Sequence, residues 1–161
     1  MLNIRKAEER DKPNIWQIIK AVIAGGDTYV FAPDSTETEL MEYWFAPDKY
    51  NYVAELEGEV VATFWLRANQ PGLGRHVGNA AYMVSPDAHG KGIGKKIGLW
   101  SLDEAKRLGF ESMQFNFVVK SNTVAVRLWK KLGFEVIGEI PDAFRHPRNG
   151  STNAYIMYRK L

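Results

Sequence analysis

The chain has 161 residues, of which 45% are hydrophobic and 25% are charged, the composition of one ordinary folded domain. Its 21 Lys and Arg residues nearly balance 19 Asp and Glu residues, and a net charge of +2 without a basic block argues against a nucleic-acid partner. The absence of Cys excludes disulfides, thiolate metal sites and a cysteine nucleophile. There is no apolar run of about 18 residues and no signal-peptide core, so we expect a cytoplasmic protein without a membrane segment.

The first half of the chain alternates between strand and helix patterns. Leu2 and Ile4 alternate with polar residues as in a short strand, and Asp11 followed by Pro13 marks the start of a helix. Asp34 or Ser35 would cap the next helix, whose first turn is acidic. The elements expected after the first strand are a helix from Asp11 to Gly25, a helix over Thr38–Phe45, and strands over Tyr52–Leu56 and Glu59–Arg67, joined at Glu57 and Gly58.

The second half continues with strands and helices around the same sheet. Its expected elements are strands over Asn79–Val84, Met113–Val119, Phe134–Ile140 and Asn153–Arg159, a helix that follows the glycines near residue 92 and ends at Gly109, and a short helix that ends at Gly133. Ser121 or Asn122 would cap the short helix, and the loop PDAFRHPRNG would join the last two strands. The order β-α-α-β-β-β-α-β-α-β-β predicts one mixed α+β domain over residues 1–161.

The segment HGKGIG, residues 89–94, is the strongest chemical signal in the sequence. It lies between a predicted strand and a predicted helix, and Gly90, Gly92 and Gly94 would let the backbone approach a ligand closely. The N–H groups and the dipole of a helix N-terminus favour an anion such as pyrophosphate, to which Lys91 would add a positive charge. The spacing fits neither the dinucleotide motif G-x-G-x-x-G nor the P-loop, in which Ser or Thr follows the Lys. A glycine-rich turn without a ligand is the alternative reading of this segment alone.

Two separate motifs carry a family resemblance. The segment VSPDAHGKGIGKKI, followed later by SNTVAVRLWKKLGFEVIG, resembles the GNAT superfamily of N-acetyltransferases. The corresponding family motifs are R/Q-x-x-G-x-G/A after the fourth strand and then N-x-x-A-x-x-L-Y/W-x-x-x-G-F. The resemblance implies an α+β fold with a mixed, mostly antiparallel seven-stranded sheet flanked by about four helices. It also implies an acetyltransferase that takes the acetyl group from acetyl-CoA.

The resemblance assigns residues to the acetyl-CoA site. Main-chain N–H groups of the glycine-rich turn would hold the pyrophosphate, and the main chain of Met83 and Val84 would pair with the pantetheine arm as an added strand does. Asn122 matches the family asparagine that contacts this arm. The full set implied for the cofactor is Met83, Val84, His89, Gly90, Lys91, Gly92, Ile93, Gly94 and Asn122.

Two positions depart from the family pattern. His89 stands where Arg or Gln is usual, and we expect little loss because main-chain N–H groups dominate phosphate binding there. Trp129 stands where many members have a tyrosine that protonates the departing thiolate, and an indole N–H is not a usable acid. Water or another hydroxyl would then supply the proton. For Trp129 itself we expect core packing, because it continues the apolar helical set of Ala125, Leu128 and Leu132.

Two asparagines within hydrophobic strands indicate the acceptor side. Strand alternation puts Asn79 on the same face as Met83, and puts Asn116 with Val118 on the face opposite the neighbouring phenylalanines. A side-chain amide in such a strand costs free energy unless it is hydrogen-bonded. In the family fold these strands are neighbours that splay apart, so the two amides would hold a small polar acceptor beside the thioester. The alternative is that each amide only satisfies nearby backbone groups.

A narrower resemblance names a candidate acceptor. The segments TFWLRANQPGLGRHVGNAAYMVSP, FNFVVKSN and RLWKKLGF resemble the subgroup that contains the fungal acetyltransferases of proline analogues such as azetidine-2-carboxylate. Asn79, Asn116 and Asn122 match three asparagines of that pattern in turn. The resemblance implies that the first two orient the acceptor's amine and that the third contacts the cofactor.

Other side chains are candidates for the walls of the acceptor site. Tyr29 and Phe31 lie in the loop before the second helix, where the fold often forms this wall, and aromatic rings suit a small apolar substrate. Packing beneath the loop is the alternative for both. His76 and His146 are expected to be loop residues, and the three histidines have no metal-site spacing. Arg145 could meet a carboxylate.

We therefore expect direct acetyl transfer to a neutral amine. The N–H of Val84 would stabilise charge on the thioester oxygen, Asn79 and Asn116 would position the amine, and a water relay would remove its proton. The expected partner is a small-molecule amine, without nucleic acid or membrane, and the expected assembly is a homodimer. Two other functions stay open: a peptide or protein N-terminal acetyltransferase, and a catalytically weak acyl-CoA-binding regulatory domain.

Overall fold

The computed structural model describes residues 1–161 as one mixed sheet with helices on both faces. The strands follow the order β1-β2-β3-β4-β5-β7-β6, and every neighbouring pair is antiparallel except β4 and β5. This arrangement confirms the expected α+β class, the seven-stranded sheet and the order of elements. The elements are β1 (Leu2–Lys6), α1 (Lys12–Ala24), α2 (Glu37–Trp44), β2 (Tyr50–Leu56), β3 (Glu59–Ala68), β4 (Val77–Val84), α3 (Ile93–Arg107), β5 (Ser112–Val119), α4 (Thr123–Lys131), β6 (Glu135–His146) and β7 (Gly150–Lys160).

The sheet carries a separate hydrophobic core on each face. Helices α1 and α2 bury Ile19 and Trp44 against Met83 on one face, whereas α3 and α4 cover Phe64 and Phe115 on the other. Each side chain of this size contributes about 1.5–3 kcal/mol when it is fully buried. The two cores therefore hold the central strands in place from both sides. None of the helices combines the length and apolar character that crossing a membrane requires.

Helix α2 begins with a reciprocal cap that differs from the expected one. The Thr36 hydroxyl accepts a hydrogen bond from the Glu39 N–H at 3.2 Å, and the Glu39 carboxylate accepts one from the Thr36 N–H at 3.0 Å. These two bonds satisfy donors that the helix itself leaves unpaired, so the helix starts at Glu37. The expected caps Asp34 and Ser35 are therefore wrong.

Strand β6 extends through most of the segment that was expected to be a loop. It continues to His146, which pairs with Gly150 across a tight turn. A bulge between Ile140 and Phe144, where Asp142 has a φ of 49°, bends the strand without ending its pairing with β7. His146 therefore lies in a strand and not in a loop.

Strand β5 contains a bulge that breaks its expected alternation. The pairing with β7 shifts between Phe115 and Val118, so both of these side chains enter the core that α3 and α4 cover. Phe117 was expected on the same side as Phe115 but is only half-buried outside that core. Asn116 is exposed, so the expectation of an amide enclosed in a hydrophobic strand is wrong for this residue.

Candidate active site

Strands β4 and β5 pair only where they begin. The register joins Val77 to Ser112 and Gly78 to Met113, and the recorded pairing stops there. A Cβ at position 78 would lie 2.7 Å from the Met113 Sδ, so glycine allows the close approach of the two strands. Beyond this point the strands separate, and one edge of β4 faces a gap instead of a partner. An extended ligand can add to such an edge as a strand does.

The main-chain groups of alternate residues of β4 face this gap. The Ser85 N–H donates to the Val61 carbonyl at 2.8 Å, on the side of β3. Because residues of an antiparallel ladder alternate in direction, the N–H and C=O of Met83 also face β3, whereas those of Tyr82 and Val84 face the gap. The main-chain groups of Met83 therefore face β3 and not a cofactor arm as expected, whereas the pairing of Val84 with such an arm stays a prediction.

The turn before α3 offers unpaired N–H groups to an anion. Gly90 and Gly92 have φ values of 79° and 71°, and a Cβ on either would meet no atom within 4 Å. Gly92 is the N-cap of α3, and no side chain caps this helix. His89 and Lys91 are exposed beside the turn, whereas Ile93 is buried and can contribute only its main chain. This bare helix N-terminus fits the pyrophosphate of a cofactor.

Helix α4 lies beside the same turn. The Asn122 Oδ1 accepts a hydrogen bond from the Ala125 N–H at 3.3 Å, so Asn122 and not Ser121 caps α4. A Cβ on Gly94 would lie 3.5 Å from Leu128, which shows how closely the first turn of α3 approaches α4. The cap fixes the side chain of Asn122, which also lines a cavity between the sheet and α4.

A cavity of about 300 Å³ opens where β4 and β5 part. Of its 19 lining residues 15 are hydrophobic, and none is Asp, Glu, His, Lys or Arg. Its wall is therefore uncharged, and its hydrogen-bonding groups are amides, hydroxyls, indole N–H groups and main-chain atoms. It brings together six residues that the sequence singled out: Tyr29, Phe31, Asn79, Asn116, Asn122 and Trp129.

The side-chain amides of Asn79 and Asn116 have fixed orientations. The Asn79 Oδ1 accepts from the Ala80 N–H at 2.7 Å, which leaves the NH₂ group of Asn79 without a protein partner. The Asn116 NH₂ donates to the Asn69 Oδ1 at 2.7 Å, and its Oδ1 accepts from Gln114 at 3.0 Å. The sequence did not indicate Asn69 as a site residue, because it lies 47 residues before Asn116 and outside the two strands that carry the other asparagines.

Aromatic rings form the walls of the cavity. Trp129 packs on Tyr82 and Phe115, with ring centroids 4.9 and 4.6 Å apart, so the expected core packing of Trp129 is confirmed. On the opposite wall Tyr43 contacts Trp65, whose Nε1 is buried without a hydrogen-bond partner. These rings make the cavity rigid and largely apolar.

The side chain of Lys49 packs on the outer side of the aromatic wall. The Lys49 ammonium lies 3.3 Å from the ring centroid of Tyr43 and 4.6 Å from that of Trp65. Burial lowers the pKa of Lys49 to about 8. Lys49 does not line the cavity, so its charge acts on the outer surface of this wall.

The loop residue Tyr29 reaches the open edge of β4. Its hydroxyl accepts a hydrogen bond from the Tyr82 N–H at 2.9 Å and donates one to the Tyr82 carbonyl. Phe31 stacks beside it, with ring centroids 6.2 Å apart. Burial raises the pKa of Tyr29, so the phenol stays protonated at neutral pH.

The remaining candidates lie away from the cavity. His76 is exposed and does not line it. The Nδ1 of buried His146 accepts hydrogen bonds from the N–H groups of Arg148 and Asn149, both at 3.1 Å, so His146 stabilises the β6–β7 turn. Arg145 lines a second cavity, which shares residues 29–31 with the first.

Comparisons with known proteins agree with this architecture. A model of the acetyltransferase (GNAT) family matches residues 15–134. The chain is 30% identical to N-acetyltransferase aca1 of Schizosaccharomyces pombe over 171 residues, which cover 96% of this chain and 81% of the fungal protein.

Solved structures share the fold along the whole chain. A GCN5-related N-acetyltransferase from Kribbella flavida has 38% sequence identity and a TM-score of 0.93, covering 99% of this chain and 98% of its own. A phosphinothricin acetyltransferase from Sinorhizobium meliloti, solved in complex with AcCoA, has a TM-score of 0.87 at 22% identity and covers 99% of this chain and 88% of its own. At that identity the second likeness concerns the fold alone.

Proposed function

The chain belongs to the acetyltransferase (GNAT) family and is an acetyl-CoA-dependent N-acetyltransferase, and from this premise we propose that its acceptor is a small amine or amino acid. The observation that carries the proposal is the uncharged cavity of about 300 Å³ at the open edge of β4. A volume near the lower end of the range for ligand pockets suits a compact acceptor. Residues 28–31 form part of its wall, which favours a small molecule over a peptide chain.

The cofactor residues act mainly through their main chain. The N–H groups of the turn from Gly90 to Gly94 would hold the pyrophosphate, with Lys91 nearby in solvent. When bound, acetyl-CoA supplies an acyl thioester whose carbonyl carbon accepts the amine. The Val84 N–H faces the gap and would stabilise negative charge on the carbonyl oxygen of the bound thioester.

The acceptor residues hold the amine in an uncharged environment. An α-amino group has an ordinary pKa of about 8, and the apolar walls favour the neutral form that attacks. The cavity wall contains no carboxylate or imidazole, so water takes the proton that the amine loses and supplies the proton for the thiol. Trp129 packs in the wall and takes no part in proton transfer.

The orientation of the amides supports an acceptor that carries an oxygen atom. The free NH₂ group of Asn79 is a donor, so it suits a carboxylate or carbonyl oxygen better than an amine N–H. Asn116, held by Asn69, lies on the same cavity. An α-amino acid carries both a carboxylate oxygen that suits the Asn79 donor and an amine that can attack the thioester. A proline-like analogue such as azetidine-2-carboxylate is the specific acceptor that we propose.

An amine panel tests this function. Release of thiol from acetyl-CoA would be measured with proline, azetidine-2-carboxylate, methionine sulfoximine, polyamines and a short peptide. We expect turnover with small amino acids and none with the peptide. Turnover with the peptide alone would contradict the proposal, and acetyl-CoA binding without turnover of any amine would identify a binding domain instead. The expected homodimer is a separate proposal, which the mass in solution tests.

A further inference from the structure

The Tyr29 hydroxyl binds the main-chain groups of Tyr82, a residue of β4 that lines the acceptor cavity. It joins a loop to a strand residue 53 positions away, accepting from the Tyr82 N–H and donating to the Tyr82 carbonyl. Strand β5 no longer pairs with β4 at this point. Tyr29 therefore stands between the open edge, where the thioester is proposed to bind, and the cavity, where the amine is proposed to bind.

The hydrogen-bonding capacity of this hydroxyl is only partly used. A phenol oxygen donates once and can accept twice, and the two bonds to Tyr82 leave one acceptor position. Tyr29 lines the cavity, so that position is available to a bound acceptor. Because burial keeps the phenol protonated, the group remains a neutral acceptor at the pH at which the enzyme works.

Other oxygen atoms of the cavity can also accept, since the Oδ1 atoms of Asn79 and Asn116 each accept one hydrogen bond from the protein and keep a second lone pair. Tyr29 differs from them because its hydroxyl is held on the open edge of β4 itself. An attacking amine must direct its N–H groups toward acceptors so that its lone pair points to the thioester carbon. The Tyr29 oxygen offers such an acceptor beside the main chain of Tyr82, on the edge of β4 where the thioester is proposed to bind.

We propose that Tyr29 is a further catalytic residue, whose hydroxyl oxygen accepts a hydrogen bond from the N–H of the attacking amine while it stays anchored on Tyr82. This role rests on the proposed function, since it requires an amine in the cavity. The hydroxyl transfers no proton: the amine forms its bond to the carbonyl carbon, the carbon–sulfur bond breaks, and water carries the proton. Tyr29 thus sets the direction of attack.

The experiment compares Tyr29→Phe with Tyr52→Phe. Tyr52 is a matched control because its buried hydroxyl also makes a hydrogen bond, at 2.8 Å to Glu104, in the core and away from the cavity. We expect Tyr29→Phe to lower kcat/KM for the best acceptor by roughly ten- to hundredfold. The Kd of acetyl-CoA measured by calorimetry should stay within twofold. Tyr52→Phe should lower thermal stability without this loss of activity.

Each other outcome overturns the role. If Tyr29→Phe loses only thermal stability, the hydroxyl merely satisfies the main chain of Tyr82. If Tyr29→Phe binds acetyl-CoA more tightly at unchanged kcat/KM, the hydroxyl only occupies the main-chain groups of Tyr82 until the thioester replaces it there. If the unaltered protein turns over no amine at all, the proposed function fails first and this role fails with it.

Discussion

Replacing Gly92 with Asp tests whether the turn before α3 holds the cofactor's pyrophosphate. The residue is the N-cap of α3, and a side chain there would project into open space. An aspartate would place a negative charge beside the N–H groups that are proposed to bind phosphate. We expect Gly92→Asp to weaken acetyl-CoA binding.

The size of this effect follows from the electrostatic energy. A carboxylate roughly 5–6 Å from one phosphate charge, at an effective dielectric constant of about 40, is destabilised by about 1.5 kcal/mol. Allowing for flexibility and screening, we expect a loss of about 1–2 kcal/mol, which corresponds to a five- to thirtyfold higher Kd. Calorimetric titration with acetyl-CoA measures the difference directly.

Gly92→Asn is the matched control for this change. Asn has the size of Asp and tolerates a positive φ similarly, so the two variants share any strain at the φ of 71° and differ in charge alone. We expect the difference in Kd between them to shrink in 1 M salt, where the Debye length falls to about 3 Å. Equal affinity of the two variants for acetyl-CoA would refute the assignment of this turn to pyrophosphate.

Three further substitutions test the acceptor site and the fold. Asn116→Ala should lower kcat/KM for the acceptor by about tenfold and leave the acetyl-CoA Kd within twofold, because an exposed amide contributes a hydrogen bond but no core packing; a loss of thermal stability alone would make it a structural residue. Gly78→Ala should lower the free energy of unfolding in urea by about 1–3 kcal/mol, because its Cβ would lie 2.7 Å from the Met113 Sδ. An unchanged free energy of unfolding would mean that β4 and β5 can move apart there at little cost. Asp11→Asn should lower the free energy of unfolding by about 2 kcal/mol at pH 7, because Arg5 donates to both carboxylate oxygens, at 2.8 and 2.9 Å. Hydrogen bonding to Arg5 also lowers the pKa of Asp11. The stability that the Asp11 carboxylate contributes is therefore present above its unfolded pKa of about 4 and is lost as the pH falls through the lower pKa of the folded state. The unfolding free energies of parent and variant should therefore converge toward pH 2, and a constant difference would contradict this account.

The sequence predicted correctly those elements whose conformation is set by residues close together in the chain. The glycine-rich turn and the helix after it are encoded within a few residues, and the structure places both as expected. The cap of α2 was also locally encoded: Thr36 and Glu39 have the spacing of a capping box, which identifies Thr36 more specifically than a single polar residue before the helix.

The differences arose where a partner strand decides the conformation. The extra residue in β5 is visible only in its pairing with β7, so the alternation of the sequence placed Val118 on the wrong face. In β6, Asp142 adopts a positive φ and Pro141 precedes it, two features that locally indicate a loop. The long pairing with β7 overrides them, and it carries His146 out of the expected loop.

The open edge of β4 also depends on contacts that no local pattern contains, and it limits where a ligand can bind. Along the edge, β5 pairs with Gly78, and the Asn79 side chain accepts a hydrogen bond from the next main-chain N–H. The Tyr29 hydroxyl binds both the N–H and the C=O of Tyr82. Since buried main-chain groups need hydrogen-bond partners, each of these contacts removes one position from those available to a cofactor. Val84 is the next position that faces the gap, and it lies closest to the turn before α3. A ligand that binds both the turn and the edge would therefore reach the edge at Val84, with its reactive end between Val84 and Tyr29.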